Sequence, residues 1–128
     1  MYAVGQREDR HRAACEKILD MVAEETLSAN IDTELLQEVL HVYRRRRQDS
    51  RGFALFERLI ELFPDPFPIT VETAIAASKL MGRHRQLGGR DAFHAAVVVE
   101  NALEGIITLD RGFDGIEGVA RFDPKEFA

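Results

Sequence analysis

The run GIITL at residues 105–109 constrains the fold of this chain more than any other segment. It is short and rich in β-branched residues, which is typical of a parallel strand buried on both faces. Such a strand needs helices on both sides of its sheet. Earlier segments supply them, because apolar residues recur there at helical spacing. We therefore expect an α/β fold with a short parallel sheet flanked by helices.

The predicted elements alternate between helices and short strands. Helices are expected over residues 8–25, 34–47, 52–63 and 71–83 and again after Gly88, with strands over residues 26–30, 67–70, 105–109 and 119–122. Asp32 or Thr33 is expected to cap the second helix. No repeat or linker divides the sequence, so we predict one domain over residues 1–128. In such sheets reactive groups gather beyond the carboxyl ends of the strands.

Composition excludes several classes of protein. The chain is 45% apolar and 30% charged, as ordinary globular proteins are. Cys15 is the only cysteine, so no internal disulfide can form, and no apolar run approaches the length of a membrane span. A cytoplasmic location is expected. The net charge of -5 repels nucleic acid as a whole, so any nucleic-acid role must come from a local site.

Three acidic residues occupy equivalent places in this scheme. Asp91 heads the innermost apolar stripe of the helix after Gly88, Asp110 directly follows the strand GIITL, and Glu38 lies in the second turn of the helix after residues 26–30. Each has an ordinary alternative. Asp91 can complement a helix dipole, Asp110 can initiate a turn, and Glu38 can be an exposed helical glutamate. Their common position favours one acidic site.

Carboxylates crowded in one place repel each other, and a divalent cation would hold them ionised. Oxygen ligands without a cysteine cluster suit Mg²⁺ or Mn²⁺ better than Zn²⁺. Such a site activates water and neutralises a phosphodiester during its displacement. His94 lies three residues after Asp91, where it can be a second ligand or, more commonly, a hydrogen-bonded helper.

Basic residues offer two candidate RNA contacts. The run RRRR at residues 44–47 is the strongest, but it lies about 10 Å along the helix from Glu38 and equally suits a solvated helix end. Arg83, Arg85, Arg90 and Arg111 flank the acids more closely and are the better candidates for binding RNA.

The segments LLQEVLH, GRDAFHAA and ITLDRGFD, in this order and spacing, resemble the PIN domain family and, within it, the VapC-type toxins. The resemblance implies an α/β/α sandwich and a Mg²⁺- or Mn²⁺-dependent ribonuclease that cleaves RNA with metal-activated water. It also implies a homodimer inhibited by a small cognate antitoxin. Glu38, Asp91 and Asp110 match the catalytic, metal-binding acids of the family, and Asp114 matches an additional acid near the metal.

One feature departs from the family pattern. Family members begin with a short apolar strand, central in the sheet, that ends in an aspartate, whereas this sequence opens at MYAVG, which resembles the stretch just after that motif. The first strand and first metal ligand are therefore expected to be missing. Either Met1 is a misplaced start or the chain is a decayed copy, and the chain as written is expected to show weak or no nuclease activity.

Two alternatives to a ribonuclease toxin remain open at the level of sequence. A non-catalytic PIN-like module would bind an antitoxin or RNA without cleavage. A structural α/β protein would use all three acids as helix caps and turn formers. The two differ in their response to Mg²⁺, because only a clustered acidic site should bind it.

Overall fold

The computed structural model of the chain describes residues 9–127, with side chains from residue 13 onwards. Within this range there are five α-helices and two short strands. The helices are α1 (Asp9–Ala23), α2 (Thr33–Arg45), α3 (Asp49–Leu62), α4 (Val71–Arg83) and α5 (Gly89–Glu100), and the strands are β1 (Ile106–Ile107) and β2 (Arg121–Phe122). The predicted helices are confirmed, with α4 at its predicted bounds. No helix in this range is long and apolar enough to cross a membrane.

Local sequence explains where the helices begin. Asp32 caps α2 by accepting a hydrogen bond from the Leu35 N–H at 2.9 Å, as one of the two predicted caps. Thr70 and Thr73 form a reciprocal capping box at the start of α4. Gly88 precedes α5 in an extended conformation without a side chain to cap it. Gly88 therefore does not cap the first N–H groups of α5, and a negative charge in the first turn of α5 can complement the helix dipole.

The two strands pair in parallel, as predicted for GIITL and VARF. Ile106 lies opposite Arg121, and Ile107 lies opposite Phe122. The Ile106 N–H donates to the Ala120 carbonyl at 2.8 Å, and the Thr108 N–H donates to the Phe122 carbonyl at 3.0 Å. The strands meet so closely that a Cβ at Gly105 would collide with the Ala120 carbonyl oxygen. This close approach requires glycine at residue 105.

The predicted strands over residues 26–30 and 67–70 are wrong. Residues 26–30 form a turn and irregular chain, and pairing is limited to one isolated parallel bridge between Asp32 and Phe67. Phe67 lies between Pro66 and Pro68, which have no N–H to extend a ladder. On the other side, the chain enters α2 directly after Asp32. Pairing therefore stops at one bridge.

Two apolar clusters make up the core. One packs α4 and α5 against the segment that carries β1 and includes Ala77, Ala95, Val98, Ile106 and Phe113. The other packs α2 and α3 against α1 and includes Leu19, Leu35, Val39, Leu59 and Phe63. Helices α2 and α5 contact each other, so the first turns of both helices come together.

A groove of about 730 Å³ lies between the Asp32–Phe67 bridge and β1. Ile31, Asp32 and Leu35 line one side, and Ile106 and Ile107 line the other. The two pieces of parallel pairing are therefore separated within residues 9–127. The prediction that the first, central strand and its aspartate are missing concerns residues before Asp9, which lie outside the described residues.

Candidate active site

The start of α2, the first turn of α5 and the loop after β1 meet at one place. Asp110 follows β1 and begins a short 3₁₀ helix over Arg111–Phe113. Its Oδ1 accepts a hydrogen bond from the Gly112 N–H at 2.8 Å, and its own N–H donates to Thr108 Oγ1 at 3.1 Å. Asp110 therefore does form the turn that its sequence position suggested. Its carboxyl group is also exposed and available to a second partner.

Asp91 lies in the first turn of α5, and its carboxyl group comes within hydrogen-bonding reach of Asp110. Burial, the hydrogen bond to Asp110 and the negative charge of Asp110 together raise the pKa of Asp91 from 3.8 to about 6, although the positive charge of His94 acts in the opposite direction. The charge of Glu38 also acts on Asp91 and raises its pKa. The three acids predicted to form one site therefore interact electrostatically.

Glu38 reaches the site beside His94. The His94 Nε2 lies 2.8 Å from Glu38 Oε1, and its Nδ1 lies 2.6 Å from Asp32 Oδ2. Burial alone would lower the pKa of His94, but the hydrogen bonds to Asp32 and Glu38 outweigh it and raise the pKa to about 9. His94 is therefore an imidazolium at neutral pH, and both of its ring N–H groups donate to carboxylates.

Asp32 is the residue of this cluster that the sequence did not indicate beyond its capping role. Its side chain is only 7% exposed. Burial would raise the pKa of Asp32, but the hydrogen bond and positive charge of His94, together with the Leu35 N–H, lower it. The sequence signal for the cap was present, whereas the 62-residue separation from His94 gave no signal of their contact.

Asp114 contacts Arg121 of β2. Its Oδ1 accepts a hydrogen bond from the Arg121 Nε at 2.7 Å, and its side chain is 52% exposed. Arg121 also donates to the Thr108 carbonyl at 3.2 Å. The structure thus places Asp114 in a surface ion pair with β2. Among the other predicted acids, Asp91 lies within hydrogen-bonding reach of Asp110, and the charge of Glu38 acts on Asp91.

The arginines predicted to contact RNA are all on the surface. Arg83, Arg85, Arg90 and Arg111 are exposed, and so is the run at residues 44–47. The charge of Arg90 acts on Glu34, a residue of α2 near the acids. Burial raises the pKa of Glu34, and the charges of His94, Glu38, Asp32 and Arg90 all act on this carboxyl group. Arg90 therefore stands at the edge of the acidic site.

A cation would have a partly prepared site here. Within residues 9–127 no group of three or more histidine, cysteine, aspartate or glutamate side chains is already arranged around a common point suited to a metal ion. The carboxyl groups of Asp91 and Asp110 nevertheless lie within hydrogen-bonding reach, and burial and Asp110 raise the pKa of Asp91 more than the positive charge of His94 lowers it. Oxygen donors of this kind fit a hard divalent cation. Glu38 stands next to them but is held by His94.

The model of the PIN domain family matches residues 1–119 of this chain. The chain is also 27% identical over 121 residues to the VapC ribonuclease Mb1869c of Mycobacterium bovis and to Ribonuclease VapC13 of Mycobacterium tuberculosis. Each alignment covers 94% of this chain and 92% of the relative. No solved structure matches the chain. The extent of the family match shows that the chain belongs to the PIN domain family, in agreement with the resemblance seen in its sequence.

Proposed function

We propose that this chain is a Mg²⁺- or Mn²⁺-dependent ribonuclease and the toxin of a toxin–antitoxin pair. The observation that carries the proposal is the pairing of Asp91 with Asp110, two carboxyl groups within hydrogen-bonding reach of each other, with the pKa of Asp91 raised to about 6. The two relatives named above are VapC ribonucleases and align over nearly the whole chain, which supports the same activity.

Asp91 and Asp110 are the residues that would hold the cation, with Glu38 as the third acid beside them. A bound divalent cation would supply an activated water and would neutralise charge on the scissile phosphate. Asp91 would then be ionised, because a cation favours the charged form of a carboxyl group. The cost of placing Asp91 in a half-buried position next to Asp110 would be offset in this state.

Surface arginines near the acids would bind the RNA. Arg90 and Arg111 flank the acids in sequence and lie on the surface, where they would bind phosphates of the RNA on either side of the cleaved bond. Arg83 and Arg85 would extend this contact from the end of α4. Because the chain has a net charge of -5, this local basic rim would be needed to attract an anionic substrate.

A cognate antitoxin, a homodimer and a cytoplasmic location complete the proposal. An inhibitor that reaches the acidic site would need a basic group there, because a cation-binding cluster attracts positive charge. A peptide arginine or lysine would occupy the place of the divalent cation. Inhibition that weakens as Mn²⁺ is raised would support this competition.

The decisive experiment measures cation binding and RNA cleavage on the same preparations. Isothermal titration of the parent chain with Mn²⁺ should show binding, and Asp91→Asn should weaken it strongly because a direct ligand loses its charge. Cleavage of a single-stranded RNA pool should fall at least about 100-fold, as expected when a group that stabilises the transition state is removed. Asp114→Asn is the matched control, because this aspartate is paired with Arg121.

A second candidate function is a non-catalytic module that binds an antitoxin or RNA without cleavage. The observation in its favour is that no ready-made group of three metal-binding side chains exists within residues 9–127. Such a module would bind RNA with the same affinity with or without Mn²⁺, and Asp91→Asn would not alter that affinity. RNA cleavage by the parent chain that is abolished by a chelator would exclude it.

A further inference from the structure

His94 bridges two carboxylates, Asp32 and Glu38, yet none of the roles given so far to the site requires it. Its side chain is 12% exposed, and each ring nitrogen faces a different carboxylate. A buried histidine that only filled space would not need two acidic partners. Its contacts instead join α5 to two separate points on α2.

One of those points is fixed. Asp32 uses Oδ1 to cap α2 through the Leu35 N–H and Oδ2 to hold His94 Nδ1 at 2.6 Å. Both oxygens are therefore engaged, and the carboxylate cannot rotate without losing the cap. A carboxylate on Nδ1 also fixes the orientation of the imidazole ring. Asp32 thus gives the ring a fixed direction.

The second contact of His94 is with Glu38, the third acid of the proposed cation site. The oriented ring presents Nε2 to Glu38 Oε1 at 2.8 Å. The side chain of Glu38 is 20% exposed. Within residues 13–127 no hydrogen bond or ion pair uses its second oxygen, Oε2. The contact with His94 therefore fixes one oxygen of Glu38 and leaves the other for a further partner.

We propose that Asp32 and His94 are positioning residues that hold Glu38 with one oxygen directed to the cation of the Asp91–Asp110 site. This inference rests on the proposed function, since it requires a cation at that site. In it the imidazole orients Glu38 and restricts its rotation, and neither Asp32 nor His94 touches the cation. Ordering this long side chain before binding lowers the entropy that binding must remove.

Two substitutions of His94 separate its two contacts. The amide nitrogen of His94→Gln reaches the position of Nε2 and keeps a donor to Glu38, whereas the shorter His94→Asn keeps only a partner for Asp32. Each variant loses one hydrogen bond to a carboxylate, and a purely structural role predicts the same Mn²⁺ affinity for both. A positioning role predicts different Mn²⁺ affinities.

The test is titration of the parent chain, His94→Gln and His94→Asn with Mn²⁺ alone, by calorimetry and by electron paramagnetic resonance of free Mn²⁺. We expect His94→Asn to weaken Mn²⁺ affinity roughly 10- to 100-fold, the usual effect of losing a group that orients a metal ligand. His94→Gln should lose affinity by a smaller factor than His94→Asn, because it keeps a donor to Glu38 and gives up only the contact with Asp32 that orients this donor. Equal affinities in the two variants, or tighter binding by His94→Asn, would overturn the inference while leaving the proposed function intact.

A third variant, Asp32→Ser, tests the contact between Asp32 and His94 without a change at His94 itself. Asp32→Ser keeps a capping oxygen for the Leu35 N–H but has no second oxygen for His94. It should also weaken Mn²⁺ affinity, with the helical circular dichroism of the parent retained. Unchanged affinity in Asp32→Ser would count against the role of Asp32. If the parent chain itself binds no Mn²⁺, the proposed function fails and the inference fails with it.

Discussion

The N-terminal half of α5 has two sides with opposite electrostatic situations. On one side His94 is placed between Asp32 and Glu38, with nitrogen to oxygen distances of 2.6 and 2.8 Å, so a positive charge lies between two negative ones. On the other side Asp91 lies within hydrogen-bonding reach of Asp110, and burial and Asp110 raise the pKa of Asp91 more than the positive charge of His94 lowers it. The same helix therefore carries a compensated cluster and an uncompensated pair.

This difference indicates which side is built for stability and which for binding. A buried charge normally persists only when it is paired, because its desolvation is costly. The chain meets that requirement at Asp32 and Glu38 with its own histidine. At Asp91 and Asp110 it does not, so the folded protein retains an unfavourable interaction that an external cation can remove. Each prediction below tests one side against the other.

The largest effect on stability is expected from His94→Ala. This change leaves Asp32 and Glu38 without their shared positive partner, and breaking a buried ion pair from one side costs about 4 kcal/mol. Urea denaturation at neutral pH measures the loss. A loss below about 1 kcal/mol would mean that the two carboxylates are solvated in the folded protein and that the cluster is not compensated by His94.

The second largest loss of stability is expected when the pH is raised, because deprotonation of His94 removes the positive charge between Asp32 and Glu38. The pKa of His94 is raised from 6.5 to about 9, so its stabilising contribution is complete below pH 6.5 and is lost as the pH rises through about 9. At about 1.4 kcal/mol per unit, the free energy of unfolding should fall by about 3 kcal/mol across this range. In His94→Gln this fall should disappear, which urea denaturation at several pH values would show.

The uncompensated side should respond to substitution in the opposite direction. Asp91→Asn removes the repulsion from Asp110, so it should stabilise the metal-free protein by about 1 kcal/mol at neutral pH, after allowance for solvent screening at this half-exposed group. The pKa of Asp91 is raised from 3.8 to about 6, so the parent loses stability as the pH rises through this window. The advantage of the variant should therefore vanish below pH 3.8.

Thermal melts in a chelator and in Mn²⁺ provide the readout for this prediction. Mn²⁺ should raise the melting temperature of the parent and have little effect on Asp91→Asn, because binding to the folded state alone stabilises it. Destabilisation by Asp91→Asn in the chelator would show that Asp91 is compensated within the protein, and the comparison between the two sides would break down.

The smallest effect is expected at Asp114. Its ion pair with Arg121 is 2.7 Å long, but the Asp114 side chain is 52% exposed. Exposed ion pairs contribute little, so Asp114→Asn should change stability by less than about 1 kcal/mol. Mn²⁺ affinity should stay at the parental value. A marked loss of affinity would place Asp114 in the cation site, as its family match suggests, and would enlarge the uncompensated side.

Much of the fold follows from local signals in the sequence. The helical periodicity of residues 71–83 predicted α4 at its observed bounds, and the β-branched run at residues 105–109 predicted a parallel strand where β1 lies. The strands predicted over residues 26–30 and 67–70 reduce to the single bridge between Asp32 and Phe67. Proline on both sides of Phe67 was visible in the sequence, but how far a strand extends depends on a partner elsewhere in the chain.

The candidate site divides in the same way. The sequence by itself determined where Glu38, Asp91 and Asp110 stand along their helices and loops, because capping and periodicity act over a few residues. Only the tertiary structure decided which charges are compensated. His94 contacts Asp32, which lies 62 residues away in sequence, and Asp114 forms an ion pair with Arg121. Coulomb energies depend on distance in space and on burial, and neither is written in the order of the residues.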